Sequence, residues 1–129
     1  MSRYPICPYC NTESRITTGE EIYPHRKDLY KLLFYACTPC DAYVGTHKNS
    51  MSALGRLADA ELRSAKSRAH RSFDPIWKQK HKSRTAAYAW LAEKLKISKD
   101  DCHIGMFDVS MCDRVEEISN EFLIEEIMR

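Results

Sequence analysis

A Cys-x-x-Cys pattern occurs twice in the chain, as Cys7-Pro8-Tyr9-Cys10 and as Cys37-Thr38-Pro39-Cys40. The 26 residues between the two pairs are enough for a short antiparallel hairpin that brings the pairs together. Two thiolates two residues apart bind one ion from a tight turn, and two such turns, or knuckles, complete a tetrahedral four-sulfur site. The spacing therefore predicts one structural zinc ion (Zn2+) held by Cys7, Cys10, Cys37 and Cys40.

A four-cysteine site has no open coordination position, so the ion is expected to stabilise the fold rather than to react. The alternatives are four free thiols or a thioredoxin-like redox motif, which is the weaker of the two because no βαβ pattern surrounds either pair. His47 follows the second knuckle, and with four thiolates present we expect it to lie outside the site.

Short β-prone runs surround the two knuckles. They cover residues 14–18, 21–23, 29–35 and 42–45. We therefore predict short antiparallel strands, that is, a zinc ribbon built on the two cysteine pairs.

Apolar residues recur at helical spacing after Gly55. Asp59 is a predicted N-cap of a first helix, whose buried face is Leu62, Ala65, Ala69 and Phe73. Asp74-Pro75 is predicted either to end this helix or to cap a short new one. Ser83 is predicted to cap a second helix. Asp108 or Ser110 is predicted to cap a third, whose apolar stripe is Val109, Cys112, Val115, Ile118 and Phe122.

These patterns predict an α+β fold in one domain, residues 1–129. A zinc-ribbon lobe, residues 1–50, packs on a helical lobe, residues 51–129, which is a bundle of about three helices. The first residues lack the apolar run of a signal peptide, and no stretch is long enough to span a membrane. We expect a soluble cytoplasmic protein with reduced cysteines and no membrane partner.

Charge is distributed unevenly along the chain. The net charge of +2 divides into +1 for residues 1–55, +8 for residues 56–99 and −7 for residues 100–129. The most basic stretch contains the candidate nucleic-acid contacts Lys78, Lys80, Lys82 and Arg84. The simpler alternative is that these charges are solvated helix faces, and that Tyr88, Trp90 and Phe107 are core residues rather than a binding platform.

A second group of reactive residues lies near the third helix. Cys102, His103 and Cys112 could supply ligands of a second metal site or a nucleophile with its base. Cys112 falls at an apolar helix position, which favours a buried thiol.

Four segments carry a resemblance to a known family. They are Cys-Pro-Tyr-Cys at residues 7–10, Cys-Thr-Pro-Cys-Asp-Ala-Tyr-Val-Gly-Thr-His at 37–47, Ala-His-Arg-Ser-Phe-Asp-Pro-Ile-Trp at 69–77 and Cys-His-Ile-Gly-Met-Phe-Asp at 102–108. From about Tyr4 to Ile118 the chain resembles a bacterial and phage family of unknown function, a zinc-finger-containing domain. The resemblance implies zinc binding by the four cysteines and one integral domain, and it implies no activity.

Two non-catalytic functions stay open. The basic segment, residues 56–99, favours a nucleic-acid-binding module. The alternative is a protein-interaction or regulatory adaptor, of the kind a phage encodes, in which zinc is purely structural and the acidic last helix meets a basic partner. A metalloenzyme or nuclease using His47, His81 or His103 has less support, because the closed site leaves no position for substrate. We therefore predict that the protein is not an enzyme.

Overall fold

The structure, a computed structural model, describes residues 4–129. Its first half contains a three-stranded antiparallel sheet whose strands lie side by side in chain order. They are β1 (Arg15–Thr18), β2 (Leu33–Cys37) and β3 (Ala42–Gly45). Cys37 pairs with Ala42 at one end of the β2–β3 ladder, and Phe34 pairs with Gly45 at the other. The sheet and the helices that follow it confirm the predicted α+β class.

The central strand β2 is covered on both faces. Side chains alternate across a strand, so Tyr35 and Cys37 point to one face and Phe34 to the other. Tyr35 and Cys37 belong to a small apolar core with Cys7 and Leu57. On the opposite face, the ring of Phe34 makes edge contacts with Tyr23 and Tyr43, at centroid distances of 5.8 and 6.3 Å. This double cover explains why the sequence of β2 is almost entirely apolar.

A single helical turn, α1 (Gly19–Ile22), follows β1. The prediction of a strand at residues 21–23 is therefore wrong. Gly19 explains the change of direction, because its backbone lies so close to Leu29 that a Cβ here would stand 1.8 Å from the Leu29 carbonyl oxygen. The Gly19 N–H instead donates to the Leu32 carbonyl at 2.9 Å.

The second strand begins later than the sequence indicated. A 3-10 turn occupies Lys27–Leu29, and regular pairing starts only at Leu33. The β-prone run of residues 29–35 therefore includes a turn, because the N–H groups of Tyr30 and Leu32 each donate to a carbonyl three positions earlier.

Three longer helices make up the rest of the chain. They are α2 (Ala60–Lys78), α3 (Arg84–Leu95) and α4 (Val109–Met128), with 3-10 turns at Lys99–Asp101 and Ile104–Met106 between the last two. The chain divides into two compact units, Met1–Glu61 and Leu62–Arg129, so the division falls in the first turn of α2. We call these the first and the second unit and describe each by itself.

Helix α2 continues past the proline that was predicted to end it. Pro75 lies within the last turn, and the helix runs on to Lys78. Phe73 and Ile76, on either side of the proline, are both fully buried. Burial of these two side chains opposes the loss of one backbone hydrogen bond at Pro75, which costs about 3 kcal/mol in an open helix.

Helices α3 and α4 begin at side-chain caps. The Ser83 hydroxyl accepts from the Ala86 N–H at 3.1 Å, as predicted, and the Asp108 carboxylate accepts from the Met111 N–H at 2.9 Å. Asp108, and not Ser110, is therefore the cap of α4. The fully buried residues of α4 are Cys112, Val115 and Ser119, whereas Ile118 and Phe122 are half-buried.

Among residues 4–129, no helix combines the length and the apolar character that a bilayer crossing requires.

Candidate metal centre

A backbone hydrogen bond closes each cysteine knuckle, over four residues in the first and over three in the second. In the first, the Asn11 N–H donates to the Cys7 carbonyl at 2.9 Å; in the second, the Asp41 N–H donates to the Thr38 carbonyl at 3.1 Å. The residue after the second cysteine is left-handed in both, with φ of 58° at Asn11 and 50° at Asp41. Apart from glycine, asparagine and aspartate adopt this conformation most readily, so both knuckles carry residues suited to the turn.

The knuckles bring four sulfur atoms together in the first unit. The Sγ atoms of Cys7, Cys10, Cys37 and Cys40 all lie within 4.8 Å of one another. The Sγ atoms of Cys10 and Cys37 are 3.7 Å apart. Tetrahedral zinc with Zn–S bonds of about 2.3 Å separates its sulfurs by about 3.8 Å. The donor set and its spacing therefore fit one structural zinc ion, as predicted.

The four ligands differ in exposure. Cys7 and Cys37 are buried, Cys40 is half-buried and Cys10 is exposed. Cys7 and Cys37 pack with the core residues Tyr35, Ala42 and Leu57. A core of this size is too small to hold the first unit by apolar burial alone, so metal binding is expected to supply much of its folding free energy.

Hydrogen bonding and burial act in opposite directions on the cysteine thiols. Hydrogen bonds from the hydroxyl and the backbone N–H of Thr12 lower the pKa of Cys10 to about 6. Burial, followed by hydrogen bonds to the neighbouring sulfurs, raises the pKa of Cys40 to about 12, and burial also raises the pKa of Cys37. One thiolate thus forms readily at neutral pH, and a bound cation is what favours the loss of the remaining protons.

The sequence matches the profile of a family described as a zinc-finger-containing domain over residues 3–122, which is nearly the whole chain. This chain belongs to that family. No curated protein and no solved structure matches the chain. The family description and the four clustered cysteines together establish the zinc-finger-containing domain as a zinc-binding module.

The other cysteines and histidines that the sequence singled out do not belong to the four-cysteine cluster. Cys102 and Cys112 are buried, and burial raises the pKa of both thiols. His47 and His103 are exposed. Within residues 4–129, the four knuckle cysteines are the only group of three or more such side chains close enough to hold one ion.

The predicted nucleic-acid contacts of the zinc-finger-containing domain fall into two kinds. Lys82 and Arg84 lie over aromatic rings: Lys82 Nζ is 5.4 Å from the centre of the Phe122 ring, and the Arg84 guanidinium is 5.1 Å from that of Tyr88. Lys78 and Lys80 are exposed. Lys78 Nζ also lies 4.0 Å from Asp74 and 5.5 Å from the centre of one ring, that of Trp77, whereas Lys82 and Arg84 each lie near two rings.

A groove along α2 was not predicted as a unit. Its volume is about 490 Å3, and it is lined by Lys66, Ser67, His70, Arg71, Asp74, Pro75 and Lys78. The lining residues recur every three to four positions, so the helical spacing of the basic residues is the sequence signal from which this face could have been found.

The acidic helix α4 meets basic side chains of the second unit at separate places. Arg68 lies 3.4 Å from Asp113 and 3.7 Å from Glu116, and His81 lies 3.9 Å from Glu126. None of the residues in these pairs lines the α2 groove.

Proposed function

We propose that this zinc-finger-containing domain is a non-catalytic, cytoplasmic nucleic-acid-binding module that contacts phosphates through its basic segment, residues 56–99. The observation that carries the proposal is the groove on α2, where Lys66, His70, Arg71 and Lys78 line one continuous helix face. Zinc has a structural role in this proposal, because four thiolates leave it no position for a substrate.

The length of the groove suits a run of phosphates. Lys66 and Lys78 are twelve positions apart, which is about 18 Å along an α-helix at about 1.5 Å per residue. Asp74 is the one carboxylate in the lining, and it lies 3.4 Å from His70 and 4.0 Å from Lys78. It therefore orients these two side chains while the groove keeps an excess of positive charge.

The four basic residues predicted from sequence to contact nucleic acid have two different roles in this proposal. We assign direct phosphate contacts to Lys78, which lines the groove, and to Lys80, which is exposed two residues beyond it. We assign Lys82 and Arg84 mainly to cation–π contacts that hold the start of α3, because each lies within 6 Å of two aromatic ring centres, whereas Lys78 lies near one.

Charge reversal in the groove is the direct test. In R71E/K78E the affinity for a fluorescent DNA or RNA duplex should fall, and the slope of log K against log salt should decrease by about 1.8, the value for two lost phosphate contacts. The matched control is K94E/K99E, which changes the net charge equally at exposed positions outside the groove.

Three results would count against the proposal. The first is failure of the unmodified protein to bind either nucleic acid at about 50 mM salt. The second is equal, unweakened binding by the groove variant and the control. The third is equal weakening of both, which would indicate only a general effect of net charge. Zinc content of one ion per chain in each variant would show that the first unit is intact.

The adaptor function is a second candidate, and the end of α4 favours it. Ile124, Ile127 and Met128 are 59%, 82% and 80% exposed, and their spacing places them on one side of the helix. Glu121 and Glu125 are exposed nearby. The family match ends at residue 122, so this face lies beyond the shared domain. An apolar face with acidic neighbours suits a basic amphipathic partner segment.

The adaptor function is tested by replacing this face without shortening the helix. In I124Q/I127Q/M128Q, a protein partner captured by the full chain should be lost, and M106Q, at another exposed apolar position, should retain it. Retention of the partner by the triple variant would remove the basis of this candidate.

A further inference from the structure

A second basic groove lies in the first unit, at the end of the β2–β3 ladder farthest from the cysteine knuckles. Two short segments line it: residues 31–33, which lead into β2, and residues 46–51, which follow β3. Its volume is about 760 Å3. The Thr46 hydroxyl donates to the Leu33 carbonyl at 3.1 Å and joins the two segments. The groove is therefore built from backbone segments that the sheet holds together.

The charged residues of this groove are all basic. Lys31, His47 and Lys48 line it and are exposed, and no aspartate or glutamate is among its lining residues. Among the ion pairs of residues 4–129, neither lysine has a carboxylate partner. Two lysines in one groove repel each other, and a bound anion relieves that repulsion. The charge pattern therefore points to an anionic ligand.

Apolar side chains lie beside these cations. Leu32 and Met51 line the same groove and are 50% and 53% exposed. Asn49 and Ser50 add polar groups between them. A ligand that joins a flat apolar surface to a phosphate would match both parts of the groove, and an unstacked nucleotide has this composition.

We propose that this groove binds one or two nucleotides of a single-stranded nucleic acid. The phosphates lie against Lys31 and Lys48, and an unstacked base lies against Leu32 and Met51. In a duplex the base faces are stacked and unavailable, which favours a single strand over a duplex at this groove. The inference rests on the proposed function and adds to it a second contact surface and the form of nucleic acid that the surface takes.

The groove is well separated from the zinc centre. Leu33 and Cys37 are the two ends of β2, so they lie about 13 Å apart at about 3.3 Å per residue. Substitutions of groove side chains should therefore leave metal binding unchanged. One zinc ion per chain is the criterion that each variant is folded before its binding is compared.

The experiment measures fluorescence anisotropy on a labelled oligothymidylate or oligouridylate of about twelve nucleotides and on a duplex of the same length, as a function of salt. In K48E the salt slope on the single strand should fall by about 0.7, one phosphate contact. K27E makes the same charge change at an exposed position of the first unit outside the groove and should leave the slope unchanged. L32Q should weaken single-strand binding about threefold without changing the slope, because it removes an apolar contact and no charge.

The outcomes separate this inference from the proposed function. If K48E and K27E bind the single strand alike, or if K48E weakens duplex and single strand equally, the second groove is not a single-strand site. The proposed function then still stands wherever R71E/K78E binds more weakly than K94E/K99E. If R71E/K78E binds normally while K48E and L32Q show the losses above, the groove in the first unit is supported and the α2 groove is not.

Discussion

Asn11 and Asp41 occupy equivalent positions in the two cysteine knuckles, one residue after the second cysteine, and both have a left-handed backbone, with φ of 58° and 50°. This shared conformation turns the chain away at the end of each knuckle, directly after a cysteine of the four-sulfur cluster. A β-branched residue is strongly disfavoured in this region, whereas glycine enters it without strain.

The first prediction concerns this left-handed position. Asn11→Val should lower the free energy of unfolding of the zinc-loaded protein by about 1–2 kcal/mol, because valine adopts the conformation only with strain. Asn11→Gly should be close to neutral. Urea unfolding measures both, and equal stability of the two variants would contradict the structural role of Asn11.

The second prediction concerns metal removal. A chelator should unfold the first unit, and Cys37→Ser should lack bound zinc, because the small core around Tyr35 and Leu57 depends on the ion. Metal analysis together with the near-ultraviolet circular dichroism of the tyrosines measures this. Cys112→Ala is the matched control, since it removes a buried thiol outside the site and should retain one zinc. A metal-free first unit with an unchanged tyrosine spectrum would refute the prediction.

The third prediction concerns proton release. The Thr12 hydrogen bonds that lower the pKa of Cys10 to about 6 span only two residues, so we expect them to form in the metal-free chain as well. Cys10 is then largely a thiolate at about pH 7 before zinc binds and largely protonated at about pH 5. The number of protons released on zinc binding should therefore increase as the pH falls through 6, while zinc affinity decreases. Calorimetry in buffers of different ionisation enthalpy measures this number.

Thr12→Val is the control for proton release. Its loss of the hydroxyl raises the pKa of Cys10, so the variant should release more protons than the unmodified protein at about pH 7. Identical release by both proteins would show that Thr12 does not stabilise the thiolate.

The fourth prediction distinguishes the two candidate caps of α4. Asp108→Ala should lower the free energy of unfolding by about 1 kcal/mol, because the Met111 N–H loses its acceptor. Ser110→Ala, inside the first turn, should change it little. Chemical denaturation measures both, and a larger effect at Ser110 would reverse the assignment.

The fifth prediction concerns Lys82. Its ammonium lies 5.8 Å from the centre of the Trp90 ring and 5.4 Å from that of Phe122, so Lys82→Ala should cost about 0.5–1 kcal/mol of stability. Lys80→Ala should cost less, since Lys80 is exposed and alanine has the same left-handed preference as lysine there. Thermal unfolding compares them, and the opposite order would indicate that Lys82 is a surface charge.

The metal centre was the most predictable part of the molecule. Sulfur ligands in two Cys-x-x-Cys pairs have few other uses in a reduced protein, and the four predicted cysteines do converge. The Ser83 cap followed from a local signal, because its hydroxyl accepts from Ala86, three residues later. The strands beside the second knuckle are similarly local where Cys37 pairs with Ala42, whereas β1 pairs with residues 15 to 21 positions away.

The elements that were wrong depend on contacts between distant residues. The pattern of residues 21–23 suits a strand, but the close approach of Gly19 to Leu29 makes this segment helical. Pro75 looked like a helix end, and burial of Phe73 and Ile76 overrides it. The basic candidates were identified as a linear stretch, whereas the groove on α2 joins residues twelve positions apart. The helix and strand propensities of single residues do not predict these three features.

The segment between β1 and β2 is closed at its base by the hydrogen bond from the Gly19 N–H to the Leu32 carbonyl. The residues between Gly19 and Leu32 lie outside the strand ladder, and the chain returns at a point where only a hydrogen atom fits beside the Leu29 carbonyl. Apart from Tyr23, whose ring packs on Phe34, we expect this loop to tolerate substitution more readily than Gly19 does. The smallest residue in this part of the chain is the one that sets where the second strand enters the sheet.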